Sequence, residues 1–156
     1  CAGRPRLSCY LYCLPQPNVW LALAVEAHVH HGRARTYWEN EAAPVCAFCR
    51  VTQLAFLRHL TNRTIMGEQV LAPSAAWKRR GEFLALPEVQ SLSEPAGLDE
   101  QLGRFCGLGR TSPNLWTDAY LAAFAKSMGL RLVTFDHAFC KFEGLDLLTL
   151  KPEAEG

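Results

Sequence analysis

No apolar run in this sequence approaches the ~20 residues needed to cross a bilayer, so a membrane-spanning helix is not expected. The opening stretch "CAGRPRLSCYLYCLP" carries two arginines, but its apolar segment is short and it has no small-residue cleavage site, so a secretory signal is not expected either. Neither sign of charge is in excess: 16 Lys and Arg face 15 Asp and Glu, a formal net charge of +1. That balance excludes a globally basic nucleic-acid binder and leaves room for a local basic patch. Internal repeats and low-complexity segments are missing too. A disulfide framework is lacking as well. The seven cysteines (Cys1, Cys9, Cys13, Cys46, Cys49, Cys106 and Cys140) are odd in number and follow no framework spacing, which fits reduced thiols in a cytoplasm. Cys46 and Cys49 in "CAFC" have the separation of half a zinc site or of a redox motif, but no second pair matches them. They are expected to be small buried hydrophobes on a strand.

What remains is an ordinary folding chain. Its 156 residues suit one domain, and 49% apolar with 20% charged residues is far from the composition of disorder. Residues 8 to 14, "SCYLYCL", read as a short buried strand that stops at Pro-Gln-Pro. "NVWLALAVEAHVHHGRARTYWEN" has helical spacing, with Asn18 placed to cap it. "APVCAFCRV", residues 43 to 51, offers a second strand. In "TQLAFLRHLTN" Thr52 is the expected cap, with Leu54, Phe56, Leu57 and Leu60 turned inward. "SAAWKRRGEFLALPEV" predicts a Ser-capped helix ending before Pro87, and "GLDEQLGRFCGLG" one more, interrupted by glycines. "SPNLWTDAYLAAFAKSMG" predicts a helix with a Thr-Asp start and Gly129 at its end. "LRLVTFD", residues 130 to 136, is then a strand that ends in an aspartate. Strands alternating with helices predict an α/β fold with a parallel sheet covered on both faces.

In open α/β sheets, ligands bind beyond the carboxyl ends of the strands. Asp136 occupies such a place. Asp118 opens the helix feeding that strand, where the helix dipole favours a carboxylate. Two acids from separate elements would converge at one sheet edge, and such clusters bind Mg²⁺ or Mn²⁺ through hard oxygens that activate water against a phosphodiester. Taken singly, Asp118 also reads as a helix cap and Asp136 as a turn residue.

"LPQPNVWLALA", "CRVTQLAFLRHLTN", "TDAYLAAFA" and "LVTFDHAF", in this order and spacing, resemble the PIN domain, specifically the VapC toxins of bacterial type II toxin–antitoxin systems. The resemblance spans roughly residues 10–150, leaving residues 1–9 as a separate N-terminal segment and 151–156, "KPEAEG", as a polar tail. It implies a PIN-like three-layer α/β/α sandwich with a mostly parallel central sheet, and Mg²⁺-dependent (or Mn²⁺-dependent) endoribonuclease cleavage of RNA. It also implies a cognate antitoxin partner, an RNA substrate, a homodimer and a cytoplasmic setting. Carried over residue by residue, Asp118 and Asp136 match metal-binding acids, and Thr117 and Thr134 the hydroxyls beside them. Asn18 matches the asparagine two positions after the first acid. Gln16 stands where the family has that first aspartate, and Gln53 stands near a glutamate of many PIN domains, where this branch tolerates glutamine.

A neutral amide at Gln16 can still coordinate a divalent cation, but without the ion-to-ion attraction that offsets stripping water from the metal. Pro17, with its fixed φ and missing donor, is a second departure. The expectation is a weakened endoribonuclease; the alternative is a catalytically inactive PIN module that binds antitoxin or RNA. Catalytic candidates are thus Asp118, Asp136, Gln16, Asn18 and Thr134, with Asp118, Asp136 and Gln16 as metal ligands. Arg58, inside a resembling block, is the candidate RNA contact. His59, Arg63, Lys78, Arg79 and Arg80 read as solvated helix faces. His28, His30 and His31 read as surface histidines at the end of the first helix, and Trp20, Phe56 and Trp116 as core.

Overall fold

The computed structural model describes residues 11–107 and 111–152. Five strands, β1 (Tyr12–Pro15), β2 (Val45–Phe48), β3 (Val89–Ser91), β4 (Arg131–Thr134) and β5 (Leu147–Thr149), form one sheet in the order β3-β2-β1-β4-β5. Every pairing among the described residues is parallel, in keeping with the expected sheet. Among the described residues seven helices surround it: α1 (Pro17–Ala24), α2 (His31–Asn40), α3 (Arg50–Leu60), α4 (Arg63–Met66), α5 (Pro73–Leu84), α6 (Leu98–Cys106) and α7 (Leu115–Met128).

Side chains alternate across the strands with a period of two. Leu14, Ala47 and Leu132 face the layer of α6 and α7, while Cys13, Cys46, Phe48 and Val133 face that of α1, α2, α3 and α5. Three layers result, as expected for a parallel sheet that must be buried on both faces. Trp20 fills the second layer, fully buried, with its ring stacked on Phe48 at 4.0 Å and edge-on to Phe83 at 5.4 Å. Cys46 and Cys49 are buried, as the sequence suggested. Gly129 closes α7 at φ 66°, the left-handed turn that a glycine adopts without strain.

Several expectations shift. The long first helix is two helices, because the chain turns extended at Val25 and the His31 ring hydrogen-bonds the Ala22 carbonyl at 2.7 Å, satisfying the end of α1. Gln16, not Asn18, stands at the N-cap position of α1, and its side chain makes no cap hydrogen bond. Pro17 takes the first helical position, where its N–H would have no partner in any case and its φ is already helical. Its missing donor therefore costs this corner nothing. Cys49 caps α3, and Thr52 acts from the third position, accepting the Cys49 N–H at 3.0 Å. Leu54 points outward while Ala55, Phe56 and Leu60 are buried. Ala72 with Pro73, not Ser74, starts α5. Asn114 precedes α7, so Thr117 and Asp118 lie within its first turn and do not cap it. Trp116 is 67% exposed and is not core.

Candidate active site at the β1–β4 crevice

Parallel pairing places the ends of all five strands on one edge. The chain leaves β1 toward β2 on one side, while β4 flanks β1 on the other, so the strand order reverses between β1 and β4. A crevice at such a switch point is where this class of sheet holds ligands. Gln16 follows β1 directly, its N–H continuing the ladder to the Val133 carbonyl at 2.8 Å. Asn18 is the second residue of α1, Thr134 ends β4, and Asp136 comes two residues later.

These side chains share one hydroxyl. Thr134 is fully buried and donates its proton to Gln16 Oε1 at 2.6 Å. Its oxygen accepts the Asp136 N–H at 2.9 Å and Asn18 Nδ2 at 3.4 Å. Gln16, only 6% exposed, is thus held by the threonine at the bottom of the crevice. Asn18 Oδ1 is buried with no partner among the described residues, and an orphaned acceptor at this depth costs free energy unless something completes it. Asp136 spends Oδ1 on the Ala138 N–H at 2.8 Å, capping the short 3-10 helix His137–Lys141. Its side chain is otherwise turned to solvent, on the outer lip.

Asp118 is half-buried, and burial raises its carboxyl above the usual carboxylate range; Lys141 pulls it back down and the charge of Asp136 pushes it up. Asp118 thus feels the charge of Asp136. Hydrogen bonds bring together Gln16, Asn18, Thr134 and the Asp136 turn, and Asp118 is linked to them through that charge alone. Arg58 is not among them: it lies in the last turn of α3, eight residues and so about 12 Å along the helix axis from Arg50. His30, which the sequence left on an outer surface, stacks on Phe135 at 4.5 Å beside the crevice.

All the donors here are oxygens, two of them carboxylates and one an orphaned amide. That set fits Mg²⁺ or Mn²⁺, which one or two carboxylates hold while water and phosphate oxygens complete the shell. Among the described residues no group of three His, Cys, Asp or Glu is placed to hold a metal ion, so a cation here would rest on the two aspartates with amide and water oxygens. A cavity of about 170 Å³ lined by Cys13, Tyr37 and Arg131 opens at the other edge of the sheet and holds none of these residues.

A family model described as PIN domain matches residues 17–145. Ribonuclease VapC41 of Mycobacterium tuberculosis is 43% identical over 138 residues, covering 85% of this chain and 94% of that protein. Ribonuclease VapC38 of the same organism is 31% identical, covering 76% and 81%. Among solved structures, VapC20 of M. tuberculosis, titled a Sarcin-Ricin loop cleaving toxin, superposes with a TM-score of 0.64 at 20% identity, covering 86% of this chain and 97% of that one. VapBC2 from Rickettsia felis, bound to a promoter DNA fragment, gives 0.64 at 12% identity over 90% and 99%. These two likenesses speak for the fold.

Proposed function

Since this chain belongs to the PIN domain family, in its VapC branch, we propose that it acts as an endoribonuclease toxin whose reaction centre is the crevice between β1 and β4. The carrying observation is the Thr134 hydroxyl, which ties Gln16 of one strand end to Asp136 of the other, with Asp118 within reach of the Asp136 charge.

Asp118 and Asp136 would hold Mg²⁺ or Mn²⁺, with the Gln16 and Asn18 amide oxygens beside them. When bound, the cation supplies a Lewis acid for the phosphoryl oxygen and lowers the pKa of a bound water. The chain's own residues do the rest. Thr134 fixes the Gln16 amide oxygen and the turn that carries Asp136, so both donors keep their places without further ordering. The Asp136 cap leaves Oδ2 as its unoccupied oxygen. Asp118, reluctant to ionise in its half-buried setting, gains most from a nearby positive charge. Gln16 brings no charge, which lowers cation affinity and, with it, rate.

RNA is the substrate class, and a cognate antitoxin covers the rim in the resting complex. Two copies pair, and the protein works in the cytoplasm. Among the described residues no helix is long and apolar enough to cross a membrane. The test is RNA cleavage with Mg²⁺ by the parent, Asp118→Asn and Asp136→Asn, with and without EDTA. Loss of cleavage in both variants and in EDTA supports the reading; full activity of either variant, or cleavage that survives EDTA, ends it. One observation favours an inactive binding module: Gln16 Oε1 is neutral and already accepts the Thr134 proton. RNA binding without cleavage by the parent would select that alternative.

A further inference from the structure

We propose that Arg50, Arg80 and Ser91, gathered around the Gln53 side chain at the ends of β2 and β3, form an anion subsite that grips a backbone phosphate of single-stranded RNA beside the reaction centre. The inference rests on the ribonuclease reading above. Gln53 is 1% exposed, and its amide is a fixed post. Its Nε2 donates to Ser91 Oγ at 2.7 Å, while its Oε1 accepts from Arg80 Nε at 2.8 Å and from Arg50 Nη1 at 3.4 Å. The Arg80 guanidinium also lies 4.3 Å from the centre of the Trp77 ring, which fixes its plane.

The charge around this amide is uncompensated. Lys78 and Arg79, next door on α5, both pair with Glu82. Arg33, Arg35, Arg104 and Arg131 each pair with an acid as well. Among the described residues neither Arg50 nor Arg80 forms an ion pair; their shared acceptor is a neutral amide. Two guanidiniums on one neutral oxygen repel each other, and an anion between them relieves that repulsion. Both keep spare N–H donors in the planar fork that matches phosphate, and Ser91 accepts from Gln53 with its own O–H left to donate. Arg50 is the first residue of the eleven-residue α3, whose positive dipole end adds to the field.

Position decides for RNA over an acidic peptide. The cluster shares its edge with Asp136, and β2 lies two strand spacings from β4, about 10 Å. A strand lying across the crevice reaches it with its neighbouring nucleotides. Asp118 and Asp136 repel a phosphodiester, and a cationic hold beside them offsets that repulsion.

The test is binding of a short fluorescent single-stranded RNA by the parent, by Arg50→Ala/Arg80→Ala and by Gln53→Glu, in EDTA across a salt series, with folding followed by circular dichroism. The double variant is expected to bind about tenfold or more weakly, whatever the RNA sequence. Its slope of log affinity against log salt should be shallower by about 0.7, the value for one neutralised phosphate of a single strand. Gln53→Glu is nearly isosteric and halves the net charge of the cluster in place while occupying both guanidiniums, so it should weaken binding too; if the alanine variant fails to fold, this variant decides. Unchanged affinity and slope in the folded variants overturn the subsite and leave the ribonuclease reading intact. A variant that keeps RNA but loses the antitoxin also overturns it, assigning the patch to protein contact. A parent that binds no RNA at all overturns both.

Discussion

Thr134 donates its hydroxyl proton to the side-chain oxygen of Gln16 across 2.6 Å, joining two residues 118 positions apart in the chain. That one contact closes the crevice between β1 and β4, and the Asp136 turn hangs from the same oxygen.

Thr134→Val keeps the shape and removes the hub. It leaves Gln16 Oε1 and the Asp136 N–H without their partner, so stability should fall by about 1–3 kcal/mol. Cleavage should fall about 10–100-fold, as when a residue supporting a metal ligand is lost. Urea unfolding together with kcat/KM checks both, and an unchanged kcat/KM would remove the threonine from the site.

Gln16→Asp restores a charge at the bottom of the crevice. Mn²⁺ affinity, read by calorimetry, and RNA cleavage should both rise above the parent. Equal values in the two proteins would show that the amide does not limit the reaction.

Asp118 gives the centre a pH dependence whose sign follows from its surroundings. Its carboxyl is raised in the folded state, chiefly by burial, so the native protein holds that proton more tightly than the unfolded chain does. The associated stability is fully present in acid and is lost as pH rises through the raised value. Asp118→Asn should therefore melt slightly above the parent at neutral pH and match it in acid, while cleaving no RNA. In the metal-free parent, the Asp118 carboxyl followed by NMR should titrate above the ordinary carboxylate range. A midpoint at or below that range would contradict the raised carboxyl.

Trp20 is fully buried among Phe48, Phe83 and Trp38, yet its indole N–H has no partner among the described residues. Trp20→Ala should cost about 3–5 kcal/mol through the cavity it leaves. Trp20→Phe should cost much less, because no hydrogen bond is lost with the ring nitrogen. Similar losses in chemical denaturation would mean that the N–H is satisfied after all.

Much of this was visible locally. β4 ends in Thr134 and an aspartate follows two residues later, so "LVTFD" placed an acid just past a strand end without any coordinates. The "TDA" acid lay in the first turn of a helix with an unmistakable apolar stripe. Other features were hidden for local reasons. β3 and β5 are three residues each, too short for a period to register. The break at Val25 arises because the His31 ring ends α1 from nine residues downstream, a contact that no 3.6-residue pattern contains. Trp116 looked like core by residue type, but its place on α7 leaves it exposed. Residues 8–10 of the expected first strand, and Leu108 and Gly109 of "CGLG", lie outside the described residues.

The amino-acid order by itself determined the alternation of strands and helices, the two acids and the uncharged Gln16, because periodicity and residue chemistry are local properties. Only the tertiary structure decided that β4 lies against β1, that one threonine serves both strand ends, and that Gln53 gathers two unpaired arginines. Strand order and long-range hydrogen bonds depend on which surfaces bury one another, and that is settled by the packing of the whole sheet.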